Sequence, residues 1–291
     1  MFAEGGSANG GKFLYTSHDN NVQTLAMLIE NTIILSHRLL KGGYRLLALK
    51  SKKIAPMVQP GQFVHLRAPP SADAVLRRPF SVFRVQAGRL AILYKTVGKG
   101  TQAMESLRAG EEVNILGPLG NGFPNVHQNS LPVLVAGGYG MAALYLVAQR
   151  ARVKGIVFVG GKCADDILCA DDFRRLGWDV RVATEDGSAG QKGLVTRILD
   201  AWLNKDLRGR TPEFFACGPN GLLKAVCKRA ERGNWPGWVS MDRHMGCGLG
   251  ACLACVQKVR AQDAAGKETW AWARVCTEGP VFACRDIMWE D

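Results

Sequence analysis

Apolar and polar positions change rhythm twice along this chain. Between Asn31 and Leu116, short apolar runs alternate with turn signals. The runs are Thr32–Leu40, Tyr44–Leu49, Gln62–Arg67, Phe80–Val85, Leu90–Thr96 and Glu112–Leu116, broken at Gly42-Gly43, Pro60-Gly61, Ala87-Gly88 and Ala109-Gly110. Six short strands at this spacing predict a small antiparallel barrel or sandwich. Thr101–Arg108, opening on a threonine and closing before Gly110, is the one helix expected inside it. From Leu131 the period lengthens. Short strands are expected at Val133–Ala136, Ile156–Val159, Val180–Ala183 and Phe214–Ala216, with helices at Met141–Arg152, Leu194–Asn204 and Gly221–Arg232. Strands alternating with helices predict a parallel sheet with crossover connections. From Pro236 onward the chain is dense in Gly, Cys and Trp and has little helical pattern. The expected fold is a multi-domain α+β chain. A flexible extension over 1–25 precedes an antiparallel β-barrel (26–128), a parallel α/β domain (129–235) and a small C-terminal domain (236–291).

Composition narrows the function classes. With 291 residues and 47% apolar content the chain can bury a core, which excludes a disordered or fibrous protein. The net charge of +12 is compatible with nucleic acid, an anionic surface or an acidic partner. However, the basic residues are scattered, without a run of five or six and without aromatic–basic interleaving. They read as a solvated surface, and no nucleic acid is expected. Leu131–Ala148 holds 18 residues without a charge, but Pro132 and Gly137-Gly138-Tyr139-Gly140 interrupt it. A buried strand, a turn and a helix fit this better than a membrane span.

Nine cysteines, an odd number in a long chain, do not resemble a disulfide scaffold. The first 23 residues show neither a basic start nor an apolar h-region, so a cytoplasmic location with reduced, metal-binding or redox-active thiols is expected. Cys247-Gly-Leu-Gly-Ala-Cys252-Leu-Ala-Cys255, followed by Cys276, has the C-x4-C-x2-C…C spacing of plant-type [2Fe-2S] clusters. A loop that turns several thiolates toward one compact centre needs residues without a Cβ, which Gly246, Gly248 and Gly250 provide. A four-cysteine zinc site is the alternative, although such sites usually show two close pairs. Cys284 competes with Cys276 as fourth ligand. Cys163, Cys169 and Cys227 read as structural. The five histidines (His18, His37, His65, His127, His244) form no metal spacing.

Two further constellations suggest phosphate and nucleotide binding. Arg77-Arg78-Pro79-Phe80-Ser81-Val82 opens a strand, and Leu93-Tyr94-Lys95 and Gly98-Lys99-Gly100-Thr101 follow it. Arg78 offers a fork of donors, and a glycine turn entering a helix offers amides, so together they could clamp a diphosphate. Ala136-Gly137-Gly138-Tyr139-Gly140 permits close approach to a dinucleotide without matching the G-x-G-x-x-G fingerprint. The acids of Thr184-Glu185-Asp186-Gly187-Ser188 could accept from ribose hydroxyls and would repel a 2′-phosphate, favouring NAD over NADP. Cys217-Gly218-Pro219 ends another strand of the same sheet.

In order, the motifs are R-P-F-S, G-x-G-T, GPLGNGF (Gly117–Phe123), GGYG, T-E-D-G-S, A-C-G-P and C-x4-C-x2-C…C. From about residue 30 to 290 the chain resembles the ferredoxin–NADP reductase superfamily. Within it, MGCGLGACLACVQKV and VCTEGPVF resemble the electron-transfer subunits of dihydroorotate dehydrogenase B. The resemblance implies an FAD-binding barrel, an NAD-binding α/β domain and a [2Fe-2S] domain. By it, Arg78, Pro79, Phe80, Ser81, Leu93, Tyr94, Lys95, Gly100 and Thr101 contact FAD. Gly137, Gly138, Gly140, Asp186, Cys217, Gly218 and Pro219 lie along the pyridine nucleotide, and Cys247, Cys252, Cys255 and Cys276 hold the cluster. It further implies an FMN-containing catalytic subunit as partner, in a heterotetramer with two of each, and no catalytic acid or base on this chain. The runner-up is a flavin and iron–sulfur NAD(P)H reductase subunit serving a hydrogenase, a bifurcating transhydrogenase or an oxygenase. Ala143, Asp242 and the long stretch Arg260–Arg274 depart from the family pattern.

Overall fold

The computed structural model describes residues 27–69, 75–263 and 265–289, and the extension expected over 1–25 lies outside them. The six early strands form as β1 (Leu28–Leu39), β2 (Tyr44–Lys50), β3 (Phe63–Leu66), β4 (Arg78–Gln86), β5 (Arg89–Lys95) and β6 (Glu112–Leu119). Every neighbouring pair is antiparallel, and the sheet closes in the order β1-β2-β5-β4-β3-β6. It is therefore a barrel, not a sandwich. Leu47 and Leu49, Val64 and Leu66, Leu90 and Ile92, and Val113 and Ile115 alternate inward along their strands and fill its interior. The helix expected at Thr101–Arg108 starts earlier and splits. A short α-helix α1 (Lys99–Ala103) runs into a 3₁₀ turn over Met104–Ser106. Thr101 fixes that start, because its hydroxyl accepts from the amides of Val97 (2.9 Å) and Gly98 (3.1 Å).

Closing the barrel also buries an acid. Glu30 accepts from Ser51 Oγ at 2.6 Å and from the amides of Lys52, Lys53 and Ile54 at 2.9, 3.1 and 3.0 Å. Its carboxylate thus caps the turn leaving β2, whose amides have no ladder partner. Burial pulls the Glu30 pKa up, but the donors from Ser51 and the three amides outweigh it and hold the carboxyl below its ordinary value.

The second half is an α/β layer. Its strands are β7 (Leu131–Gly137), β8 (Ile156–Gly161), β9 (Asp179–Thr184), β10 (Gln191–Lys192) and β11 (Pro212–Cys217), and its helices α2 (Met141–Arg150), α3 (Ala170–Arg175), α4 (Val195–Lys205) and α5 (Asn220–Arg232). Side-chain alternation on β7 decides the two faces. Val133 and Val135 pack with α4 and α5, while Leu134 and Ala136 pack with α2 and α3. Residues 141–148 of α2 are all buried because the helix lies between this sheet and β4 of the barrel. That accounts for the long uncharged stretch, and among the described residues no helix is long and apolar enough to cross a membrane. The sequence pattern showed neither α3, too short to display a period, nor β10.

The sheet continues beyond Trp235. β12 (Gly237–Ser240) pairs parallel with β11 and β15 (Val281–Ala283) antiparallel with β12, giving the order β10-β9-β8-β7-β11-β12-β15. Between them the chain forms a cysteine loop and an unforeseen hairpin, β13 (Val256–Gln262) with β14 (Glu268–Arg274). The long stretch Arg260–Arg274 thus takes in the end of β13 and the whole of β14. Two Gly-Pro turns join this part to the barrel. Asn121 N donates to Gly279 O at 2.5 Å, and Asn121 Nδ2 donates to the carbonyls of Thr277 (3.2 Å) and Glu278 (3.0 Å). A Cβ at Gly120 would stand 2.5 Å from Pro280 Cδ, so GPLGNGF and GPVF form one packed contact.

The buried carboxylate of Glu30 gives a stability test. Glu30→Ala leaves four donors without their acceptor and should cost about 2–3 kcal/mol in denaturant unfolding. Because the folded pKa lies below the unfolded one, this contribution is full above the ordinary glutamate value and is lost as pH falls through the folded one. The difference between wild type and variant should therefore shrink on acidification.

Candidate functional site

The wall expected to hold a flavin is built by β4, β5 and α1. Arg78 and Arg77 look equivalent in sequence but do different things. Arg77 turns to the Asn114 side chain on β6 and to the carbonyls of His65 and Asn114, both at 3.3 Å. Arg78 donates to Leu76 O at 2.7 Å and lies over α1 so tightly that a Cβ at Gly100 would sit 2.2 Å from its Nε. Arg78 and the first turn of α1 therefore form one electropositive cradle. Register places Ser81 opposite Phe63 and Pro79 opposite His65 on the barrel's outer face, while Phe80 opposite Val64 points inward.

Three of the expected flavin contacts have their polar atoms engaged by protein. Thr101 closes its own turn, as described. The buried Tyr94 hydroxyl bonds His37 Nε2 at 2.9 Å. Lys95 Nζ reaches Asp166 at 3.3 Å, and the same carboxylate oxygen accepts from Tyr44 at 2.8 Å. Leu93 is buried and packs in the apolar cluster that also contains α2. Burial pulls the Asp166 carboxyl up, but Tyr44, the Lys162 amide and Lys95 prevail and hold it below its ordinary value. Asp166 thus clamps β2 and β5 of the barrel onto the loop after β8.

On the other side of that clamp lies the carboxyl edge of the sheet. Order β9-β8-β7-β11-β12 reverses direction between β7 and β11, and nucleotides bind at such reversals in this architecture. The turn Gly137–Gly140 follows β7, and Cys217-Gly218-Pro219 follows β11. They touch backbone to backbone: a Cβ at Gly140 would lie 2.2 Å from Cys217 O, and one at Gly137 2.8 Å from Pro219 Cδ. Gly138 instead opens outward, with only Tyr44 Oη 3.7 Å from where its Cβ would be. Cys217 is half-buried. Burial and then the Asp242 charge push its thiol up to about 12, so it is neutral at physiological pH. Two strands along the same edge, exposed Asp186 is fixed by Ser188, whose hydroxyl and amide donate to it at 2.7 and 2.9 Å. Those hydrogen bonds hold its pKa down.

The cysteine loop curls over the barrel's outer face. The amides of Leu249 and Cys252 point at Cys247 Sγ at 3.3 and 3.4 Å, and the Cys247 amide points at Cys252 Sγ at 3.5 Å. Burial pulls the Cys247 thiol up, but these amides outweigh it and bring it down to about 6. Cys255 and Cys276, both buried, share a hydrogen bond, and burial with that contact raises Cys276. The four expected ligands thus lie in two contacting pairs, Cys247 with Cys252 and Cys255 with Cys276; among the described residues no three or more such donors form a group that could hold a metal. Cys284, the competing fourth ligand, is in neither pair. It packs beneath α5 against Cys227, with Sγ 2.8 Å from where a Gly237 Cβ would be.

Sequence reading passed over one residue here. His65 on β3 is wholly buried, neither ring nitrogen has a partner, and burial followed by the Arg77 charge lowers its pKa to about 4. Leaving such a group unsatisfied costs about 1–3 kcal/mol. A Cβ at Gly248, within the cysteine loop, would approach His65 Cε1 to 2.7 Å. Only strand pairing reveals this placement, since no spacing links residue 65 to residue 248.

Comparison with known proteins follows the same division. The family model for the iron-sulfur cluster binding domain of dihydroorotate dehydrogenase B matches residues 242–288. The dihydroorotate dehydrogenase B (NAD(+)) electron transfer subunit of Geobacillus kaustophilus is 37% identical over 269 residues, covering 89% of this chain and 98% of the relative. That of Desulforamulus reducens is 38% identical over 242 residues, covering 81% and 89%. Among solved structures, a chain of the NADH-dependent reduced ferredoxin-NADP oxidoreductase superposes with a TM-score of 0.75 at 26% identity, covering 89% of this chain and 90% of that one. A ferredoxin NADP+ reductase from Neisseria gonorrhoeae, with a TM-score of 0.56 at 16% identity over 70% of this chain and 91% of that one, shares the fold.

Three substitutions separate the roles just described. Cys252→Ala should abolish stoichiometric iron in anaerobically purified protein, whereas Cys284→Ala should retain it, as read by iron analysis and visible absorbance. Arg78→Ala removes charge-assisted hydrogen bonds from the cradle and should weaken FAD about ten- to a hundredfold in fluorescence titration, leaving iron content unchanged.

Proposed function

Since this chain belongs to the family of dihydroorotate dehydrogenase B electron transfer subunits, we propose that it carries electrons from a dihydroorotate-oxidising partner through a [2Fe-2S] cluster and FAD to NAD, in pyrimidine biosynthesis. The observation that carries this reading is the cysteine loop seated on the same barrel face as Pro79 and Ser81, with amides aimed at its sulfurs. That donor set fits a cluster: its four sulfurs are Cys247, Cys252, Cys255 and Cys276, and the family model that matches them is an iron–sulfur one. The alternative of zinc loses its support.

When bound, the cluster supplies one-electron transfer, the flavin links it to two-electron chemistry, and NAD accepts a hydride. The protein's own groups bind and orient. Arg78 and the α1 amides would neutralise the FAD diphosphate, with Pro79 and Ser81 lining the ring, and Leu93 and Phe80 supporting the wall from behind. Gly138 leaves room for the dinucleotide between β7 and β11, and Asp186 would accept from its ribose hydroxyls. Cys217, kept protonated, presents a neutral, compact surface beside that path. The Tyr44–Asp166–Lys95 clamp, a hydrogen bond and a partly exposed ion pair, would fix the barrel against the nucleotide edge. No side chain here needs to act as acid or base. Dihydroorotate loses two electrons and two protons in the partner, and NAD+ takes up both electrons and one proton, releasing the other.

The partner required is a catalytic dihydroorotate dehydrogenase subunit, which we take to carry FMN. Its docking side is the outer rim of the cysteine loop, where Cys252, Leu249 and Leu253 are exposed. The proposed assembly has two copies of each subunit and works in the cytoplasm, where thiols stay reduced.

Co-purification with the catalytic subunit followed by assay tests the reading. The complex should reduce NAD with dihydroorotate, neither subunit alone should do so, and its mass should fit two copies of each. Reduction of NAD by reduced ferredoxin but not by dihydroorotate would instead favour a bifurcating reductase, the kind of protein that gives the TM-score of 0.75.

A further inference from the structure

The outer barrel face and the cysteine loop meet at His65. Residues directly opposite in an antiparallel pair project to the same side, so His65 shares its side with Pro79, and the next such pair, Phe63 with Ser81, continues it. From this flavin-lining face the ring extends to the cysteine loop. A Cβ at Gly248 would come within 2.7 Å of Cε1 and 2.9 Å of each ring nitrogen, so glycine is what lets the imidazole reach this position. The ring has 0% exposure, and both nitrogens lack a protein partner. Its neighbours offer none: Phe63 packs an aromatic ring 5.7 Å away and Arg77 donates to the His65 carbonyl, not to the ring. A buried imidazole always carries at least one N–H, and this one faces a loop whose purpose is to present sulfur.

We propose that His65 is a positioning residue of the flavin–cluster junction, donating a ring N–H to a sulfur of the iron–sulfur centre and thereby raising its reduction potential. The inference rests on the cluster assignment above. Hydrogen bonds to cluster sulfurs favour the reduced form, which carries one more negative charge, and so move the midpoint upward. The low pKa of the ring agrees with a neutral donor that adds no charge of its own.

The test uses the full chain with flavin and cluster, prepared anaerobically. In redox titrations followed by electron paramagnetic resonance, His65→Phe should lower the reduced fraction of the cluster about tenfold at a given poise, which is about 59 mV for one electron. His65→Gln, which keeps an N–H, should stay close to wild type. An unchanged midpoint in His65→Phe with full iron and FAD, or an equal shift in both variants, overturns the proposal. Should His65→Phe fail to assemble, wild-type protein labelled with nitrogen-15 only in histidine decides the matter. Magnetic coupling of one histidine nitrogen to the reduced cluster, lost in His65→Gln, supports it, and the absence of coupling in wild type overturns it. Wild-type protein without any iron–sulfur centre would instead refute the underlying assignment.

Discussion

A single methyl group at Gly120 would collide with Pro280, one at Gly140 with the Cys217 carbonyl, and one at Gly248 with the His65 ring. The first and third are places where the barrel meets the C-terminal segment, the second joins two turns of the nucleotide sheet, and close contact there is the constraint on which the rest depends. Electron relay among three groups requires short, fixed separations. At these places the chain supplies them by having glycine, with no side chain of its own, on one side of each contact. Directional bonds hold the barrel to its neighbours: Asn121 to the 277–279 carbonyls, and Asp166 to Tyr44 and Lys95.

The buried polar groups fall into two kinds. Glu30 and Asp166 are fully served by protein donors, so their desolvation is offset and they act as structural staples. His65 has no such compensation. The contrast matters because native interiors seldom leave polar atoms unpaired, and the exceptions gather where a ligand completes the set. The half-buried Cys247 sulfur differs from His65 in having protein donors. It is surrounded by amides that favour thiolate, an arrangement that stabilises a bound metal centre more than it stabilises the loop itself.

Of the residues expected along the flavin, the structure separates those that face the ligand space from those that hold the wall. Arg78 and Arg77 show how this division arises. Arg78, the first residue of β4, reaches α1, while Arg77, just before the strand, reaches Asn114 on β6. Likewise Lys95 and Tyr94, adjacent on β5, serve a domain clamp and the barrel interior respectively. Their contribution to a flavin site is to fix its walls.

Local pattern by itself determined much. Period-two runs gave all six barrel strands, the change of period at Leu131 gave the α/β layer, and the cysteine spacing singled out thiols that the fold places in two contacting pairs. Such features are carried by residues close in sequence, so propensity and spacing suffice to read them. The hairpin at 256–274, the two extra sheet strands and the strand-order reversal between β7 and β11 were decided only by tertiary structure. So were the burial of Cys284 under α5 and the meeting of His65 with Gly248. Each depends on pairing between segments far apart in the chain, where register and packing choose a partner that local composition does not encode.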